Sequence, residues 1–268
     1  MIPNILSIAG SDPSGGAGIQ ADIKAIAANG GYAMAAITAL TAQNTRGVAR
    51  VALTDADMVA AQIAAIREDI RIDAVKIGML GNAAIVEAVA RALDGLGVPV
   101  VLDPVMVAKG GDRLLASEAV AALSELLVPM ATILTPNLPE AGDLLGREAA
   151  RDAAGMREQG RALLALGCGA VLMKGGHLPG DAVTDLLVTP EGEMTMTGAR
   201  IATANTHGTG CTLSSALATE IAKGHALPDA ARRAKEYVAR AIAASGELSV
   251  GGGYGPVHHF HAVAGDTQ

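Results

Sequence analysis

Short apolar runs alternate along the chain with longer stretches whose apolar residues recur at helical spacing. Ile5 to Ala9, Ala74 to Ile77, Val98 to Leu102, Thr132 to Leu134 and Ala170 to Met173 are runs of the first kind and predict buried strands. Ile19 to Ala28, Ala83 to Leu93, Ser117 to Leu127, Arg151 to Leu166, Thr212 to Ala222 and Asp229 to Ala244 carry the helical period. Strand and helix in alternation imply an α/β architecture, a mostly parallel central sheet with helices on both faces. From Val183 to Ile201 the pattern becomes strand-turn-strand around Pro190-Glu191-Gly192, which predicts antiparallel strands at one sheet edge. No linker, repeat or low-complexity stretch interrupts residues 1–268, so one domain is expected.

Composition narrows the partners. The net charge of −7 and a pI near 5.3 argue against a nucleic-acid or anionic-membrane surface. Ile2 to Ala9 is apolar but too short for a signal peptide or a membrane span. The two cysteines, Cys168 and Cys211, lack zinc-type spacing, and the expected compartment is the reducing cytoplasm. Cys168, between Gly167 and Gly169, reads as structural. With no Trp, one Phe and three Tyr, a flat ligand would have to rest on Met and Val side chains.

In open parallel sheets, ligands bind beyond the carboxyl ends of the strands. The first strand ends in Gly10-Ser11-Asp12-Pro13-Ser14-Gly15-Gly16-Ala17-Gly18, and later strands end at Gly78-Met79, Asp103-Pro104-Val105, Thr135-Pro136-Asn137 and Lys174-Gly175-Gly176-His177. The chemistry concentrates further in Asn205-Thr206-His207-Gly208-Thr209-Gly210-Cys211-Thr212, which runs into a small-residue helix. Gly208 and Gly210 clear the backbone of side chains, and the first amides of a helix have no internal partner. Together with the helix dipole they make an anion site. The same field is expected to lower the thiol pKa of Cys211, offering a base or nucleophile.

The other candidates each admit a plainer reading. Lys174 would reach a nucleotide phosphate, or else be a solvated lysine at a strand end. Asn137 and Glu140 would orient a hydrated Mg²⁺ or form a helix-capping pair, and the two are compatible. Asp103 before Pro104 would balance metal or phosphate charge, or simply make a turn. Asp22 and Gln43 suit a ring bearing amino and ring-nitrogen groups, or are a helix-surface and a loop residue. His258, His259 and His261 lack acidic or cysteine companions and fit a packed or exposed tail better than a metal site. Two nucleotide motifs are missing: there is no Gly-Lys dipeptide, and no Gly-x-Gly-x-x-Gly opens a helix after the first strand.

Taken in order, Ala9 to Asp22, Lys76-Ile77-Gly78-Met79-Leu80, Asp103-Pro104-Val105-Met106, Thr135 to Ala141, Met173 to His177 and Asn205 to Cys211 resemble the bacterial hydroxymethylpyrimidine/phosphomethylpyrimidine kinases of thiamine biosynthesis. The likeness runs from about residue 5 to the tail Gly255 to His261. It implies a ribokinase-like three-layer fold, often dimeric, that uses ATP and Mg²⁺. It further implies phosphorylation of 4-amino-5-hydroxymethyl-2-methylpyrimidine and then of its monophosphate. By position, the resemblance gives Asp22 and Gln43 the aminopyrimidine edge, and Met79 and Val105 the ring faces. Gly208, Thr209, Gly210 and Cys211 become the anion hole, with Cys211 as candidate base. Asp103, Asn137 and Glu140 would serve Mg²⁺ largely through water, and Lys174 the ATP phosphates.

Three rivals stay open on the sequence. A pyridoxine or pyridoxal kinase of the same fold would act on a similar hydroxymethylated ring, alone or as a second activity. A cysteine hydrolase would use Cys211 and the neighbouring His207 but leave Lys174, Asn137 and Glu140 without a purpose. A pyrimidine-binding regulator without catalysis is the third.

Overall fold

The computed structural model describes residues 1–106 and 117–262. β1 (Asn4–Ala9) leads through the glycine loop to α1 (Gly18–Ala28). β2 (Tyr32–Ile37), β3 (Ala39–Asn44), β4 (Gly47–Leu53) and α2 (Ala56–Asp69) follow. The middle of the chain holds β5 (Ala74–Ile77), α3 (Ala83–Leu93), β6 (Val100–Leu102), α4 (Ser117–Ala122) with a π turn Leu123–Leu127, and β7 (Ile133–Leu134). α5 (Leu138–Leu145), α6 (Ala153–Leu164), β8 (Val171–Met173), the hairpin β9 (Ala182–Thr189) and β10 (Gly192–Ala199), α7 (Thr209–Ala222) and α8 (Leu227–Ala243) complete it.

Eight strands form one sheet in the order β10-β9-β8-β7-β6-β5-β1-β2. From β2 to β8 every pairing is parallel, whereas β9 and β10 add antiparallel. Side-chain alternation sorts the strand residues onto two cores. Leu6, Ile8, Val75, Ile77 and Leu102 pack with Val59, Ile85, Val89, Leu138 and Met156 from α2, α3, α5 and α6. Ile5, Ala74, Val101 and Ile133 face Ile26, Leu217, Ala234 and Val238 from α1, α7 and α8. Both sheet faces are therefore covered, as parallel strands require. Among the described residues no helix is long and apolar enough to cross a membrane.

The structure differs from the hydrophobic pattern in two places that matter for the site. Nothing in the pattern predicts the elements between α1 and β5. For β3 and β4 the reason is that they stand off as a separate two-stranded sheet, in which β4 is largely exposed and the inward face of β3 is polar beyond Ala39. α2 is equally quiet in sequence because only Val59 and Ile63 are buried in it. Second, α7 begins at Thr209 rather than Thr212, so Gly210 and Cys211 lie inside its first turn.

Candidate active site

Every strand end singled out by the sequence lies at the carboxyl edge of the sheet, and α7 starts there. Its N-cap is Gly208, in the left-handed region at φ 75°, and no side chain caps the helix. A Cβ at Gly208 would sit 1.8 Å from the carbonyl oxygen of Gly16, so only glycine lets the two loops meet. The first turn of α7 lies beside a paired cation. A Cβ on Gly210 would lie 3.3 Å from Lys174 Nζ and 3.5 Å from Asp103 Oδ2.

Lys174 follows β8, and its backbone amide donates to Pro136 O, which bridges it to Asn137. Its Nζ lies 2.8 Å from Asp103 Oδ1 and 3.7 Å from Glu140 Oε2. Burial works to lower its pKa, but the negative Asp103 and Glu140 prevail and hold it above the ordinary lysine value. Lys174 is thus a fixed, permanent cation and not a solvated strand-end residue. Asp103 also accepts from Thr135 Oγ1 at 3.0 Å.

Asn137 and Glu140 form a reciprocal capping box at the start of α5. Asn137 N donates to Glu140 Oε2 at 2.8 Å, and Glu140 N to Asn137 Oδ1 at 2.9 Å. Burial first, and the neighbouring Asp103 charge after it, raise the Glu140 carboxyl from 4.5 to about 7 against the opposing pull of Lys174. Near neutrality this carboxyl is poised to gain or lose a proton, a response that a nearby cation would bias. Among the described residues no cluster of three or more His, Cys, Asp or Glu is arranged to hold a metal directly.

Asp22 is placed otherwise than expected. It is fully buried, and its two carboxylate oxygens take four hydrogen bonds: two from Lys76 Nζ, at 2.8 and 2.9 Å, one from Ser7 Oγ at 2.6 Å and one from Ser215 Oγ at 2.8 Å. A carboxylate has about four acceptor sites. None is left for an aminopyrimidine edge, so the direct ring contact is corrected to a supporting place beneath the site. The residue the sequence reading missed is its partner. Lys76 is fully buried in β5, directly under Gly78, where a Cβ would come 2.7 Å from its Nζ. Burial disfavours its charge, yet Asp22, Cys211 and Asp103 keep its pKa raised. A lysine inside an apolar strand was itself the signal, because buried ammonium groups need a partner.

Cys211 is also corrected. Burial pushes its thiol up to about 11, outweighing the lowering effects of nearby Lys76 and the Gly18 amide, while Asp22 and Asp103 push the same way as burial. The expected depression by the helix terminus does not emerge, because desolvation dominates. Met79 is buried beside Gly10, where a Cβ would meet its Sδ at 3.0 Å, and its carbonyl accepts from Thr38 Oγ1. Val105 is half-buried just beyond β6. Gln43 is half-buried on β3 at a register shift, with Oε1 3.4 Å from Thr41 Oγ1, in a strand and not a loop.

The loop after β8 is held from two sides. Gly175 N donates to Asp185 Oδ1 at 3.0 Å, and Lys235 Nζ neutralises Asp185 at 2.5 Å. Arg200 donates to the carbonyls of Gly176, Leu178 and Gly180 at 3.0, 2.6 and 2.7 Å. The tail packs back on the fold: His259 Nε2 lies 3.0 Å from Thr212 Oγ1, and Tyr237 donates to His259 O. Burial, aided by Lys24 and the other tail histidines, lowers His259 to about 4.

Residues 12–258 match the phosphomethylpyrimidine kinase family model. The chain is 55% identical over 260 residues to a hydroxymethylpyrimidine/phosphomethylpyrimidine kinase of Escherichia coli, covering 97% of this chain and 98% of that one. It is 47% identical to a thiamine biosynthesis bifunctional protein of Geobacter sulfurreducens, spanning 97% of this chain and 53% of that protein. Among solved structures, an ADP complex of Bacillus subtilis pyridoxal kinase superposes with a TM-score of 0.90 at 37% identity, covering 98% and 99% of the two chains. The chain belongs to the phosphomethylpyrimidine kinase family.

Proposed function

From that membership we propose that the chain transfers the γ-phosphoryl group of ATP to hydroxymethylpyrimidine and then to its monophosphate, supplying the pyrophosphate for thiamine biosynthesis. The observation that carries the reading is Gly210, whose missing side chain brings the first turn of α7 against the Lys174–Asp103 pair. Phosphoryl transfer asks for in-line positioning and for donors aimed at spread negative charge. Amides of Gly208, Gly210 and Cys211 would supply fixed donors, the Thr209 amide being turned to Thr206 O, and Lys174 supplies a cation that does not titrate near neutrality.

Asp103, Asn137 and Glu140 would hold Mg²⁺, largely through water, and their oxygen-rich donor set fits a hard cation. When bound, Mg²⁺ neutralises charge on the transferring phosphate. Met79 and Val105 would pack on the ring, with Gln43 reading its edge. Cys211 would receive the hydroxymethyl proton; with its thiol near 11, the amides carry most of the stabilisation and the thiolate is a minor form. The same raised thiol argues against a cysteine hydrolase, which needs a ready nucleophile.

The single domain of residues 1–268 would work as a cytoplasmic homodimer. The exposed Leu40, Val51 and Leu53 of the stand-off β3–β4 sheet support association of two copies. A second activity on pyridoxal is favoured by the 0.90 superposition on the Bacillus subtilis enzyme. ATP consumption with hydroxymethylpyrimidine, with mono- and diphosphate products resolved, tests the main reading. ADP formation with pyridoxal alone would overturn it, and no ADP with either ring would leave a binding protein.

A further inference from the structure

Two loops that the kinase reading uses only in part are tied together by one buried pair. Asp12, in the loop after β1, is 2% exposed, and its carboxylate takes four bonds. Ser14 N and Ser14 Oγ donate to Oδ1 at 2.9 and 2.7 Å, while Ala17 N and His207 Nε2 lie 2.8 and 2.7 Å from Oδ2. Burial works to raise the Asp12 pKa, but the bonds from His207 and Ser14 hold it below the usual carboxylate value. His207 is buried in turn, and its amide donates to Gly255 O at 3.0 Å.

His207 directly precedes Gly208, the N-cap of α7. The loops touch with no room to spare: a Cβ at Gly16 would lie 2.4 Å from His207 Cδ2. On the far side of this contact, the Gly18 amide interacts with the Cys211 sulfur. The start of α7 is therefore held against the loop after β1 by backbone packing at Gly16 and Gly208, and by one buried side-chain contact, the Asp12–His207 carboxylate–imidazole pair.

We infer that Asp12 and His207 form a positioning couple for phosphoryl transfer, holding the first-turn amides of α7 in register with the glycine loop after β1. Neither residue belongs to the donor set assigned to substrate, and both act through the backbone they anchor. The inference rests on the kinase reading, whose failure would show as an inactive unaltered enzyme.

The test compares His207→Ala, His207→Gln and Asp12→Asn in the full chain. Turnover is normalised to sites that bind the non-hydrolysable analogue AMP-PCP, and melting temperatures are recorded alongside. A displacement of the amides by an ångström is worth on the order of 100-fold in rate. His207→Ala should therefore lose about 30- to 100-fold in kcat, with KM for ATP and for the pyrimidine within about threefold. His207→Gln places an amide donor near the Nε2 position and should recover most of that loss. Asp12→Asn keeps an acceptor for Ser14 but weakens the contact to His207, and should lose at least about tenfold in kcat. A merely structural role would lower melting temperature and binding-competent fraction while leaving kcat per site intact. Unchanged kcat per site in Asp12→Asn overturns the inference, whether or not His207→Ala folds. Equal losses in His207→Ala and His207→Gln overturn it as well.

Discussion

Glu140 offers the sharpest test of the site's electrostatics. Its carboxyl rises from 4.5 to about 7 on folding, chiefly through burial and then through Asp103. The folded protein therefore holds this proton more tightly than the unfolded chain, and stability falls as pH rises wherever that is so. The contribution is fully present below about 4.5 and is lost as pH climbs through about 7. Between about pH 5 and pH 8 the loss amounts to roughly 2–3 kcal/mol, from 1.36 kcal/mol per pKa unit. Glu140→Gln removes the titration while keeping an acceptor for the Asn137 amide and the shape of the capping box. Urea unfolding of both proteins at the two pH values reads the effect. The variant should gain on the parent by roughly 2–3 kcal/mol between pH 5 and pH 8. A stability difference that stays the same at both, within about 0.5 kcal/mol, would refute the argument. A bound cation favours the carboxylate, so saturating Mg²⁺ should shrink the pH effect in the parent and leave the variant unmoved.

Three further outcomes follow from other parts of the site. At about pH 8 a thiol near 11 is roughly 0.1% ionised, so Cys211→Ala should slow the first phosphorylation more than the second, by less than an amide donor is worth. Equal losses in both steps, read by resolving the two products, would remove Cys211 as proton acceptor. Lys76→Met strands the buried Asp22 carboxylate and should cost about 3–5 kcal/mol, most of it restored in the Asp22→Asn/Lys76→Met pair. Denaturant midpoints that make the double variant worse than the single would contradict this. Arg200→Ala frees three loop carbonyls and should raise KM for ATP about tenfold, with kcat little changed. A fall in kcat at saturating ATP would mean that Arg200 serves the chemical step instead.

The strand ends were legible in the sequence because buried parallel strands are short apolar runs, and their polar terminations stand out against them. Lys174, Asp103, Asn137 and Glu140 stand at such terminations, and the Asn137–Glu140 capping box is legible from their spacing. What did not show was direction and neighbourhood. Asp22 looks the same in sequence whether it faces a ligand or a lysine, and its partner is 54 residues away. The Cys211 thiol runs against its helix position because that position is read locally, whereas desolvation depends on everything packed around it. β3 and β4 leave a weak signal because β4 is largely exposed and the inward positions of β3 are Ala39, Thr41 and Gln43, of which the last two are polar. Their independence from the main sheet is why Gln43 sits on a strand that periodicity cannot see.

The Asp22 network also has a meaning in time. Its carboxylate gathers Ser7, Lys76 and Ser215, at separations of 15, 54 and 193 residues. During synthesis the first two become available while most of the chain is still unmade. The last donor emerges only with α7, the helix proposed to carry the anion hole. Such distant closures are slow steps in folding. The charge beneath the proposed site thus gains its last donor in the same event that brings α7 into place, so a chain that has not yet docked α7 lacks both the Ser215 bond to Asp22 and the proposed anion-binding turn. Completion of the fold and acquisition of function are, at this carboxylate, one transition.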